Sequence, residues 1–134
     1  MSTKPETTFI GSVHVYLPKT LHYEKMNNPY SSGTPDVWYS GDAADLWVEY
    51  KFLPTVPQTA IIDPRKLLSV LQFNWLNQRY EEGRNVAVVI GCSRLGGVIL
   101  RDQGWKLQFP ATTFRDRLVP RKAIAQWITE VTTR

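Results

Sequence analysis

Cysteine is nearly absent from this chain. Cys92 is the only one among 134 residues, which excludes an internal disulfide framework and any Cys-rich zinc site. After a strongly β-branched run, Cys92 is expected to be an inert small core residue. Histidine is scarce: His14 and His22 have no partner at ligand spacing, so ordinary surface positions are expected for both. No apolar run approaches the roughly 20 residues a membrane helix needs, Val86–Ile90 being typical, and no membrane partner is expected. Met1–Thr8 is polar with no apolar h-region behind it, so a soluble cytoplasmic protein is expected. Two catalytic patterns are missing too. Gly96-Gly97 is not followed by Lys-Ser/Thr, so it is no P-loop, and no Gly-x-Ser-x-Gly elbow exists.

Enough is present for one core. Hydrophobic residues make up 43% and charged residues 21%, and without repeats or Gly/Ser linkers residues 1–134 are expected to form a single domain. Sixteen Lys and Arg face twelve Asp and Glu, a formal +4 that permits a polyanionic partner without demonstrating one. The distribution is uneven. Arg115, Arg117, Arg121, Lys122 and Arg134 crowd the C-terminal part, whereas Asp36, Asp42, Asp45 and Glu49 sit in the middle.

Apolar spacing predicts an amphipathic helix over Pro5–Leu17 with Thr3 as N-cap, then an ordered loop from Lys19 to Pro35. Two strands are expected at Asp36–Ser40 and Asp45–Leu53, joined hairpin-like by Gly41–Ala44. In the second, Leu46, Val48, Tyr50 and Phe52 share one face; Trp47, Glu49, Lys51 and Leu53 share the other. A proline-rich loop leads to a helix over Arg65–Glu82, with Leu68, Leu71, Trp75 and Leu76 at helical spacing. Val86–Gly91 reads as a central strand buried on both faces. Gly96–Arg101 and Trp105–Phe109 read as a hairpin, and Pro120–Val131 as the last helix. The order α-β-β-α-β-β-β-α describes a mixed sheet flanked by helices. The five tryptophans are expected in the core or an interface rather than on a base-stacking platform.

The chemistry concentrates in Gly33-Thr34-Pro35-Asp36 and Glu49-Tyr50-Lys51. Glu49 and Lys51 are two apart on a strand, so both project from one face, and a buried Glu there needs compensation. Asp36 lies 13 positions earlier, the length of a strand, a turn and the return, so the two carboxylates can meet. Magnesium favours one or two carboxylates plus water and phosphate oxygens. Such an ion activates water and neutralises phosphate, while Lys51 orients the water or stabilises developing charge.

These residues resemble the PD-(D/E)xK nuclease signature. They are most similar to the small virus-type replication-repair nucleases, the VRR-NUC domains, and to related phage endonucleases and junction resolvases. Besides Asp36 and Glu49-Tyr50-Lys51, the similarity takes in the Gly-x-Pro-Asp turn and the downstream Leu68-Ser69-Val70-Leu71-Gln72. It implies a restriction-endonuclease-like α/β fold and Mg2+-dependent cleavage of DNA, with Mn2+ substituting, at branched, flapped or junction sites. It implies metal ligation by Asp36, Glu49 and the Tyr50 carbonyl, Lys51 as the catalytic cation, and Gln72 contacting substrate or supporting Lys51. The additional acid common in the family falls on Glu6, with Glu24 as competitor. So small a domain commonly needs a second copy to embrace a duplex, which makes a homodimer a candidate. The expected location is then the cytoplasm, that of the host for a phage-encoded chain. The rival reading is a non-catalytic DNA-binding or phage interaction module on a nuclease scaffold, and RNA is an alternative substrate. The 52–65 loop and the polar-aromatic stretch His22, Tyr23, Lys25, Asn27, Asn28 and Tyr30 are candidate DNA contacts.

Overall fold

The computed structural model describes residues 4–26, 33–56 and 58–134. Thr3, Asn27, Asn28, Tyr30 and Pro57 lie outside the described residues. Helix α1 (Lys4–His14) is followed by strands β1 (His22–Lys25), β2 (Val37–Ser40), β3 (Asp45–Phe52) and β4 (Ile61–Ile62). Helices α2 (Pro64–Leu67) and α3 (Val70–Glu81) lead to β5 (Val86–Cys92), β6 (Gly96–Leu100) and β7 (Phe109–Pro110), and α4 (Ala111–Arg117) and α5 (Arg121–Thr132) close the chain. The main sheet has the order β1-β2-β3-β5-β6, and only the β3–β5 pairing is parallel. A parallel neighbour requires a crossover, which α2 and α3 provide. No described helix is long and apolar enough to cross a membrane.

The alternation of β3 divides the core as the sequence predicts. Leu46, Val48 and Tyr50 pack with Phe9, Ile10 and Val13 of α1 and Ile124, Ala125 and Ile128 of α5. On the opposite face Val86, Val88, Ile90 and Cys92 pack with Leu76 of α3 and Phe114 of α4. Every residue of β5 is buried, as its unbroken apolar run predicts. This is a mixed α/β sheet with helices on both faces.

Five expectations are corrected. The stretch read as a loop contains β1, whose residues are all exposed, so no burial alternation marked it. The single helix over Arg65–Glu82 is two. Leu68 is extended, and Ser69 restarts the helix as N-cap, its hydroxyl accepting from the Gln72 N–H while Gln72 Oε1 accepts from the Ser69 N–H. That capping box is written in Ser69-x-x-Gln72, and it turns Leu71 out to solvent. The hairpin partner Trp105–Phe109 does not form. Trp105 is buried in a 3-10 turn with its Nε1 donating to Asn77 Oδ1 at 2.8 Å, and Phe109–Pro110 pairs with Ile61–Ile62 instead. Lastly, α4 was not expected, and α1 stops at His14 rather than Leu17.

Candidate active site

The β2–β3 pairing aligns Val37 with Val48, so Asp36, one residue before β2, falls opposite Glu49 on the same face. Beyond the end of β2 the Tyr50 N–H has no strand partner. It donates to Asp36 Oδ2 at 2.9 Å, which fixes the carboxyl across the hairpin end. Within a strand a residue's N–H and C=O point to the same edge, so the Tyr50 carbonyl faces the same opening.

Glu49 is 2% exposed, a charged residue inside a sheet. Its Oε2 is well served: Gln72 Nε2 donates at 3.0 Å and Lys51 Nζ lies 3.3 Å away. Its Oε1 receives no hydrogen bond from any described residue. Burial first, then the adjacent Asp36 carboxyl, raise its pKa to about 8, against the lowering pull of Lys51. Two carboxyls at hydrogen-bonding range with a buried lone oxygen form a site short of positive charge. A proton or a divalent cation supplies it, and the hard oxygen donors suit Mg2+ or Mn2+. Among the described residues no third Asp, Glu, His or Cys joins the pair. Glu6, in the first turn of α1, is therefore not grouped with Asp36 and Glu49. Glu24 sits on the exposed edge strand β1, opposite Trp38 and 3.7 Å from His22.

The Gly-x-Pro-Asp turn is positioned by α3. Gly33 has φ +87°, and a Cβ there would collide with the Leu71 backbone carbonyl. Only glycine lets the turn lie against the first turn of α3, so Asp36 and Gln72 are set in register by one contact. Gly33→Ala is expected to destabilise the protein by a few kcal/mol, a drop of roughly 10 °C in Tm measurable by circular dichroism. An unchanged Tm would mean that the turn does not depend on this contact.

On the opposite face Tyr50 OH and Tyr39 OH are 2.6 Å apart, and Tyr39 OH is 2.8 Å from His14 Nε2. His14 is thus not an ordinary surface histidine. Burial, then the charge of Lys25, lower its pKa to about 4, so it is neutral near pH 7 and braces β3 through the two phenols. His22 is exposed, as expected. Of the C-terminal cations, Arg121 is engaged by the fold: it donates to Ser93 O and Ser12 Oγ and covers the Phe9 ring.

Sequence comparison gives no relative: neither a known family profile nor a curated protein matches. The fold does have a solved counterpart. The chain is similar to Hjc, a Holliday junction resolvase from the archaeal hyperthermophile Archaeoglobus fulgidus, with a TM-score of 0.59 at 14% identity over 92% of this chain and 97% of that one. The likeness shows the architecture alone, a restriction-endonuclease-like mixed sheet flanked by helices.

Proposed function

We propose that this chain is a divalent-metal-dependent deoxyribonuclease of the PD-(D/E)xK type, nearest in motif to the VRR-NUC domains, that hydrolyses phosphodiesters in branched DNA. The observation that carries the proposal is the meeting of Asp36 with a buried Glu49 whose Oε1 lacks a donor. Decayed scaffolds have no reason to keep a desolvated carboxylate beside another acid, because such a pair destabilises the fold unless it holds something. The architecture shared with a junction resolvase supports the choice of a branched substrate.

In this reading Asp36, Glu49 and the Tyr50 carbonyl hold the metal, with Glu6 from α1 as a further acid that movement or substrate would have to bring in. A bound Mg2+ or Mn2+ supplies neutralisation of the phosphate charge and an acidified water. Lys51 contributes a second positive group, orienting the attacking water and stabilising the charge that develops on the phosphate oxygens. Gln72 holds Glu49 Oε2 through its amide while its carbonyl end is tied into the capping box, so Glu49 keeps one rotamer. The 134 residues act as one domain, and cutting two strands of a junction takes two sites, which a homodimer provides.

The test is incubation of the pure protein with Mg2+ or Mn2+ and labelled four-way junction, flap, plain duplex and RNA. Cleavage of DNA that stops with EDTA and is greatest at branches is expected. Binding without cleavage on every substrate would favour the non-catalytic module, and preference for RNA would overturn the substrate class.

A further inference from the structure

On the Glu49 face of the sheet, beside the carboxylate pair, lies an open cleft of about 470 Å3 that the proposed chemistry does not use. It is lined by Trp47 of β3 and Trp75 of α3 together with Thr34, Arg79, Arg84 and Asn85. Trp47 precedes Glu49 by two strand positions, roughly 7 Å, and Thr34 precedes Asp36 by two, so the cleft borders the site directly. The Trp47 and Trp75 rings are tilted by 59° with centroids 5.4 Å apart, and Trp38 stacks behind Trp47. Arg79 lies over the Trp75 ring while paired with Glu82, which leaves Arg84 as the better placed phosphate contact. Asp45 also lines the cleft, but its carboxylate accepts from Trp38 Nε1 and Ser40 Oγ. Tryptophans on a core face would ordinarily be covered. These are only part-buried, and the exposed Arg79 and Arg84 line the cleft with them.

We propose that this cleft binds an unpaired nucleobase of the DNA strand presented to the Asp36–Glu49 site, stacked against Trp47 and Trp75 with Arg84 on its phosphate. The inference rests on the nuclease reading for its choice of DNA. Aromatic faces stack any base, while fully paired DNA keeps its bases stacked within the duplex and has none to offer. The cleft thereby supplies a physical reason for preferring branched or flapped DNA, where bases are unstacked. Its volume suits one base with its sugar.

The experiment uses the full chain in EDTA, so that nothing is cut, and flapped DNA with 2-aminopurine in the unpaired nucleotide next to the branch. Binding is expected to quench the 2-aminopurine emission severalfold, and the flap is expected to bind about tenfold more tightly than the same sequence fully paired. Trp75→Ala should abolish the quench and most of the preference, and Trp75→Phe, which keeps a ring, should restore much of both. Arg84 is exposed, so Arg84→Ala should fold normally and lower the salt slope of log K by about 0.7. Absence of quenching with the parent protein overturns the proposal, as does a Trp75→Ala protein of unchanged preference or an Arg84→Ala protein of unchanged slope. Quenching by a protein that never cuts DNA with metal would leave the cleft standing and remove the nuclease reading. Cutting without quenching would do the reverse.

Discussion

Asp36→Ala, Glu49→Gln and Lys51→Ala are each expected to lower metal-dependent DNA cleavage by at least about a thousandfold, with DNA binding in EDTA changed little. In the proposed site the three act as a unit, so the double variant Asp36→Ala/Lys51→Ala should lose scarcely more than either single one. The reason lies in the wiring around Glu49. Its Oε2 already has Gln72 and Lys51, its Oε1 receives no hydrogen bond from any described residue, and the Asp36 carboxyl lies beside it. Removing either acid leaves too few anionic oxygens for a hard dication, and removing Lys51 leaves the phosphate without its second positive neighbour. Single-turnover cleavage at saturating protein separates these losses from weaker binding. If the three variants cut like the parent, the site lies elsewhere on the fold.

The second large effect is on stability, and its direction follows from two opposed shifts. Glu49 is raised to about 8 from an ordinary 4.5, so between those values the folded protein holds a proton that the unfolded chain has released, and stability falls with rising pH. His14 is lowered from 6.5 to about 4, so between those values the unfolded chain holds the extra proton, and stability rises with pH. From about pH 4.5 to 6.5 the two slopes cancel. From pH 6.5 to about 8 only Glu49 acts, and the metal-free protein is expected to lose roughly 2 kcal/mol, or about 5–10 °C in Tm. Glu49→Gln should flatten that limb and make the metal-free protein more stable than the parent at pH 8, while on the nuclease reading it should lose cleavage. Mg2+ should also offset the loss, binding more tightly as pH rises because it displaces the Glu49 proton. A parent Tm that stays level in EDTA from pH 6.5 to 8.5 would show that Glu49 is not held as described. The joint outcome, stability gained where activity is lost, is the trade expected of a strained catalytic group.

The elements legible in sequence were those whose side chains are sorted by the core. β3 alternates because each face meets a different helix layer, and β5 is uniformly apolar because both its faces are covered. The meeting of Asp36 with Glu49 followed from the length of the hairpin and the period of a strand. What stayed hidden was held by other means. His22–Lys25 is a strand because it pairs with β2, although burial leaves no mark on an exposed edge. Ile61–Ile62 and Phe109–Pro110 are too short for any period, and Trp105 has the neighbours of a strand residue although its indole is held by Asn77. The break at Leu68-Ser69 was written in the capping box but masked by the helical spacing on either side. The tryptophan cleft is invisible in the sequence for a simpler reason. Composition counts aromatic rings, and only the sheet and α3 together show that Trp47 and Trp75 lie beside an opening.

The lone parallel pairing in the sheet bears on how the molecule assembles. β2 and β3 are neighbours along the chain and can zip as a local hairpin, whereas β3 must wait for the crossover through α3 before it meets β5. During refolding the two acids therefore come together early, while water still surrounds them and both charges are tolerated. Glu49 dries out only when α3 docks and Gln72 reaches it. Alkaline conditions should consequently slow that late closure and leave the hairpin's own formation almost untouched.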